Sequence, residues 1–143
     1  MSERDLSIER VLPASPEAVF AAWSDAESLA TWMCPGNVER ATVESDFRVG
    51  GRFRIVMHGT EQDFHHHGEY RVIEPARRLV FTWVSEWMPE AERKTEVSVT
   101  FEAAGRDATR VRLHHYALPE SESYAGHAQG WAEILTKLSG RIA

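Results

Sequence analysis

The stretch from Pro119 to Ala143 constrains this chain more than any other. Tyr124, Ala128, Trp131, Leu135, Leu138 and Ile142 recur at steps of 4, 3, 4, 3 and 4. That spacing draws one apolar stripe along a helix. Most of what precedes it alternates apolar and polar residues with the period of a strand. A single long helix that closes a run of antiparallel strands predicts a curved sheet wrapped around the helix, with room for a cavity between them.

The strand readings follow from alternation. Leu6, Ile8 and Val11 fit a first strand, ended by Pro13. Ser15-Pro16-Glu17 opens a helix: Ser15 suits the cap, Pro16 the first helical position and Glu17 the positive end of the dipole. Val19, Phe20 and Trp23 are its apolar face. Asp25 suits the cap of a second short helix with Leu29, Trp32 and Met33, stopped by Pro35-Gly36. Ala41 to Phe47 reads as a strand, and Val49-Gly50-Gly51 as a turn or bulge. Phe53, Ile55 and Met57 alternate with Arg52, Arg54 and His58. Gly59 to Asp63 is a hairpin turn. Strands are then expected from about Phe64 to Glu74, from Leu79 to Glu86, along Thr95, Val97, Val99 and Phe101, and along Val111, Leu113, His115 and Ala117. Helix and strand are segregated, so the expected class is α+β with an antiparallel sheet. The order is one strand, two short helices, six strands and the long helix.

At 143 residues the chain is expected to form one domain, residues 1–143. Net charge is -6, from 16 basic and 22 acidic residues, which argues against a nucleic-acid partner. Cys34 is the single cysteine, so no internal disulfide forms. The first ten residues are too charged for a signal peptide, and no apolar run reaches membrane-spanning length. A cytoplasmic location is the expectation.

Four stretches, in order along the chain, resemble a known superfamily. They are Pro16 to Trp23 with Trp32; Val49-Gly50-Gly51-Arg52-Phe53; Gly68 to Pro75 with Arg78 to Trp83; and His127, Gly130-Trp131 and Leu135. The chain resembles the helix-grip proteins of the START and Bet v 1-like (SRPBCC) superfamily. Within it, the chain is similar to the branch named after the activator of the heat-shock protein 90 ATPase. The resemblance implies a fold and a cavity, with no cofactor and no shared catalytic motif, and chaperone activation is not carried over.

Inward polar residues are the candidates for chemistry. If Phe64, Tyr70 and Val72 point inward, so does His66, whereas His65, His67, Glu69 and Arg71 point outward. His115 shares the inward face of Val111 and Leu113. With Ser85, these residues would orient a polar group on an apolar ligand. His65 and His67 share an outer face but have no evident third ligand, so no metal site is expected. Nothing near Cys34 marks it as a nucleophile. Gly126 and Gly130 each cost the closing helix about 1 kcal/mol relative to Ala, which points to close packing or to space for a ligand, with packing against the sheet the favoured reason.

The leading expectation is a binder of a small hydrophobic molecule, lined by Trp32, Phe53, Ile55, Met57, His66, Tyr70, Phe81, Trp83, Val99, His115, Trp131 and Leu135. An enzyme of cyclase, dehydratase or hydrolase type, using His66, His115 or Tyr70 as acid or base, is the second. A homodimer or regulatory module, through an apolar Trp87-Met88-Pro89 loop, is the third.

Overall fold

The structure, a computed structural model, describes residues 3–35, 38, 40–86, 95–119 and 122–142. The expectations for Gly36 and Trp87-Met88-Pro89, and for the facing of Ala117, Tyr124, Gly126 and Ile142, lie outside the described residues and side chains.

Strand β1 (Glu3–Leu12) is followed by helices α1 (Pro16–Ser24) and α2 (Ala26–Trp32). Then come β2 (Arg40–Ser45), β3 (Arg52–His58), β4 (Asp63–Glu74), β5 (Arg78–Ser85), β6 (Thr95–Ala103), β7 (Thr109–Pro119) and helix α3 (Glu122–Ile142). The seven strands form one antiparallel sheet in the order β1-β7-β6-β5-β4-β3-β2. The two short helices therefore carry the chain from one edge of the sheet to the other. This is the expected helix-grip arrangement, with α3 against β1, β7 and α2.

The caps fall where their side chains demand. Ser15 Oγ accepts from the Ala18 amide at 3.2 Å, and an Asp25 carboxylate oxygen accepts from the Glu27 amide at 3.1 Å. Each satisfies an amide that the first helical turn cannot. The Gly50-Gly51 pair is a turn. Gly50 has φ +86°, and the pair docks on β4 through Gly50 N to Tyr70 O and Tyr70 N to Gly51 O.

The inner face of the sheet is a continuous apolar surface. Phe53, Ile55 and Met57 on β3, Leu79, Phe81 and Trp83 on β5, Val97, Val99 and Phe101 on β6, and Val111 and Leu113 on β7 are all buried. Trp131, Ile134, Leu135 and Leu138 of α3 meet them. One parity expectation is corrected. A bulge between Tyr70 and Val72 shifts the β4–β5 register by one residue. Val72 then pairs with Val80 on the outer face, and Ile73 packs on the core instead. Bulges have this effect because the extra residue changes the side on which every later side chain emerges. In β1 the inward parity runs through Leu6, Ile8 and Leu12, so Val11 is 56% exposed.

Gly68 sits directly opposite Phe53 in the β3–β4 pairing. A Cβ there would strike the Thr82 carbonyl oxygen and lie 2.5 Å from Phe53 Cζ. The Phe53 ring occupies the space that the glycine leaves. Because one obstacle is backbone of the next strand, Gly68→Ala is expected to destabilise the fold by roughly 3 kcal/mol, the upper end of ordinary overpacking penalties. A urea midpoint matching that of the parent would contradict this.

Candidate functional site

The site grows out of the β4–β5 pair. His66 lies directly opposite Ser85, so their side chains emerge as neighbours on the inner face. Trp83, two residues before Ser85, shares that face. Its ring stacks on His66 at 4.9 Å between centroids and 30° between planes. Helix α3 crosses above. Trp131 meets Trp83 at 4.9 Å, and His127, one turn earlier, reaches down to β5.

Between these elements lies a cavity of about 540 Å³. Its floor is His66, Trp83, Ser85 and Met57, and its helix wall is His127, Gly130, Trp131 and Ile134. Phe64 and the hairpin from Gly59 to Gln62 form one side, and Pro35 and Val38 the other. The Gly59 amide closes the hairpin on Gln62 O at 3.1 Å. Lys137 Nζ of α3 donates to Val38 O at 2.6 Å and holds the segment after α2 in place. A Cβ on Gly130 would meet only the Pro35 Cβ, at 3.8 Å. Gly130 therefore borders the cavity beside Pro35 and is not packed against the sheet, contrary to the favoured expectation.

Hydrogen bonds assign the tautomers. The Trp131 indole N–H donates to His115 Nδ1 at 3.0 Å. Because an indole can only donate, Nδ1 carries a lone pair and the proton is on Nε2. Nε2 then donates to Thr95 Oγ1 at 2.8 Å, and the Thr95 hydroxyl donates to the Trp83 carbonyl at 2.5 Å. Both His115 nitrogens are thus used inside the core. The Trp83 indole donates to His127 Nε2 at 3.3 Å, with Ser85 Oγ 3.1 Å from the same nitrogen. By the same logic Nε2 accepts, and Ser85 is the donor.

His66 differs from both. It is 5% exposed, and its Nδ1 has no hydrogen-bond partner. Burial first, and His127 second, lower its pKa from 6.5 to about 4. Burial first, and His127 second, also hold His115 well below the usual histidine range. Both rings are neutral at pH 7.

Of the residues expected to line a ligand site, Met57, His66, Trp83 and Trp131 border this cavity. Phe53, Ile55, Tyr70 and Phe81 lie beyond it, around a separate void of about 20 Å³ that also touches Trp83. Trp32 is wholly buried, edge-on to Trp23 at 4.7 Å. Val99, His115 and Leu135 are wholly buried behind the cavity wall. The structure does not bring His66, His115 and Tyr70 together: Tyr70 Oη pairs with Ser45 Oγ at 2.8 Å, away from the cavity. The sequence reading missed Ile134 and Phe64 and gave His127 no role of its own. His127, Gly130 and Ile134 are spaced 3 and 4 apart, a second stripe beside the one that was recognised.

The other candidates resolve simply. His65 Nδ1 meets Arg54 at 3.0 Å and His67 Nδ1 meets Glu86 at 3.1 Å, both at the surface. Among the described residues no group of three His, Cys, Asp or Glu side chains is placed to hold a metal. Cys34 is buried, and burial pushes its thiol pKa up, away from a reactive thiolate. Among the described residues no helix is long and apolar enough to cross a membrane.

A curved antiparallel sheet gripping one long helix, with a cavity at one end of the grip, defines a START-like helix-grip protein. The chain belongs to the family described as Activator of Hsp90 ATPase homolog 1-like protein, which it matches over residues 13–143. Solved structures agree in fold. An Hsp90 activator from Plasmodium falciparum superposes with a TM-score of 0.80 at 22% identity, covering 96% of this chain and 95% of that one. An AHSA1-like protein from Aeromonas hydrophila gives 0.77 at 28% identity, covering 95% and 90%. CalU16 from Micromonospora echinospora gives 0.72 at 26% identity, covering 95% and 74%. No curated protein matches the sequence.

The lowered His66 pKa has a thermodynamic consequence. The unfolded ring, near 6.5, takes up a proton that the folded ring refuses until about pH 4. Between those values the unfolded state binds more protons, so stability falls as pH falls through this window. From pH 7 to pH 5, His66 alone accounts for a loss of about 2 kcal/mol. His66→Phe keeps a ring against Trp83 and is expected to reduce the loss by that amount in urea titrations at the two pH values. An unchanged pH dependence would contradict the assignment.

Proposed function

We propose that this protein binds a small, mainly apolar molecule in the cavity between β3–β5 and α3. The observation that carries the reading is the cavity of about 540 Å³, with Gly130 on its helix wall. A helix in the middle of a packed core would gain about 1 kcal/mol from Ala at such a position, and a larger apolar side chain would fill the gap. Here Gly130 borders the cavity with only Pro35 within 4 Å of where its Cβ would stand, and Trp83, Trp131, Phe64, Met57 and Ile134 are apolar parts of the same lining. The volume suits a ligand of drug-like size, and apolar walls with a few polar groups are the usual composition of such sites. Met57, His66, Trp83 and Trp131, with Ser85, His127 and Ile134, are the residues assigned to contact. The remaining expected lining residues support them from behind. A cytoplasmic setting, with residues 1–143 acting as one unit, belongs to the same reading and suits a lone, buried, unpaired Cys34.

The acid–base reading is not adopted. His115 spends both nitrogens on Trp131 and Thr95, and Tyr70 does not line the cavity.

Gly130→Phe separates binding from folding. N-phenyl-1-naphthylamine, a neutral apolar fluorophore, is expected to bind the parent with enhanced emission. It should bind the variant at least about tenfold more weakly, because a phenyl ring replaces the ligand, while thermal stability is kept or raised. Equal binding by the variant, or none by the parent, would refute the proposal.

A further inference from the structure

We propose that the ligand of this cavity is an amphiphilic cation: an apolar body seated between the sheet and α3, with a protonated amine at its outer end between Glu61 and Glu133. This inference rests on the binding function proposed above and specifies the chemical class of its ligand.

The lining is graded from floor to mouth. Met57, Trp83, Trp131 and Ile134 are buried and apolar. Thr60, Glu61, Gln62 and Gln129 border the same cavity and are exposed, and Glu133 is half-buried. An apolar ligand that fills the interior therefore ends among polar groups, in contact with water. The two carboxylates reach the mouth from different elements. Glu61 belongs to the β3–β4 hairpin, which the Gly59 amide closes on Gln62 O. Glu133 follows Gln129 by four residues on α3, so the two share one side of the helix, beside the row of Gly130 and Ile134.

No cation of the described residues neutralises this mouth. Among them neither Glu61 nor Glu133 forms an ion pair, and the described lining includes no Lys or Arg. Lys137 stands one turn after Glu133, the usual spacing for an ion pair on a helix. Its Nζ is instead held 2.6 Å from Val38 O, and Lys137 does not line the cavity. The lining histidines add no charge. His66 is neutral at pH 7, and His127 Nε2 accepts from the Trp83 indole, which leaves that nitrogen no place for a second proton.

Two unanswered negative charges at the opening of an apolar cavity reinforce each other's field there. A carboxylate head would be repelled by both. A neutral head would leave them to water. An ammonium is attracted to both, and its N–H groups can donate to the carboxylates and to the Gln62 and Gln129 side-chain oxygens while it stays hydrated. It thereby avoids the cost of an unpaired charge in the interior. The net charge of -6 acts in the same direction by drawing cations to the protein.

The test compares three probes of one shape at pH 7, where the amine is protonated: 2-naphthylmethylammonium, the neutral 2-naphthalenemethanol and the anionic 2-naphthoate, each titrated by calorimetry. At low salt the ammonium is expected to bind about fivefold to tenfold more tightly than the alcohol, and the naphthoate more weakly than either. In about 0.5 M salt the ammonium-to-alcohol ratio should fall to within about twofold. Glu61→Gln and Glu133→Gln should each lower the low-salt ratio by about twofold, and the double variant should bring it close to parity. The ratio is taken within each variant, so a general change in the pocket cancels. Glu74→Gln removes the same charge at the other end of β4, about 30 Å from Phe64 by strand rise, and should leave the ratio unchanged. Equal binding of ammonium and alcohol by the parent, or tighter binding of the naphthoate, would overturn this inference and leave the apolar cavity intact. A preference for the ammonium that survives both high salt and the double variant would overturn it as well, because the charge would then be read elsewhere. Binding of none of the three would overturn both the inference and the function on which it rests.

Discussion

A chain of hydrogen bonds ties the gripping helix to the sheet, and the geometry of the cavity depends on it. It runs from the Trp131 indole on α3 to His115 on β7, on to Thr95 on β6, and ends at the Trp83 carbonyl on β5. Each link has only one donor assignment once the indole is recognised as a pure donor. A second tie runs the other way, from the Trp83 indole to His127 on α3. The two tryptophans thus face each other across 4.9 Å, each held by a histidine from the opposite layer. In a low-dielectric interior such a network is stabilising only when every member is satisfied. His66, one position along the same face, stands outside it.

The interior is filled at one end and open at the other. Away from the cavity, Phe53, Tyr70 and Phe81 pack together, with Phe53 and Phe81 edge-on at 5.5 Å. Trp23 and Trp32 close in from the short helices. Large aromatics on both layers leave a void of about 20 Å³ there. At the other end the lining includes small or polar positions, among them Ser85 on the sheet and Gly130 on the helix. The same fold therefore yields core or cavity according to side-chain size at a few positions.

Much of the fold was legible in the sequence because the relevant signals are local. The Ser15 and Asp25 caps, the alternation in β3, β6 and β7 and the apolar stripe of α3 each depend on nearby residues alone. The failures mark where local reasoning ends. Val72 moved to the outer face because a bulge after Tyr70 shifted the register, and no nearby residue announces it. In β1 the period of two carries Leu12 inward and leaves Val11 exposed. The cavity was located only coarsely for a similar reason. Alternation tells which side chains point inward, but not whether the opposite layer fills the space they face. Phe53, Ile55 and Val99 point inward into solid core, and Met57 and His66 into open volume. That distinction is made by Gly130, Ile134 and the Gly59–Gln62 hairpin, whose positions opposite the sheet emerge only after α3 is docked.

The central claim is that the openable space lies between Trp83 and Trp131, while the Trp23–Trp32 end is solid. Indole N–H resonances report on this directly, because Trp23, Trp32, Trp83 and Trp131 sample both ends. On titration of the ¹⁵N-labelled protein with 2-naphthol, the Trp83 and Trp131 indole signals are predicted to shift, with those of Trp23 and Trp32 unmoved. Shifts concentrated on Trp23 and Trp32, or no indole shift at saturating probe, would contradict this account of the interior.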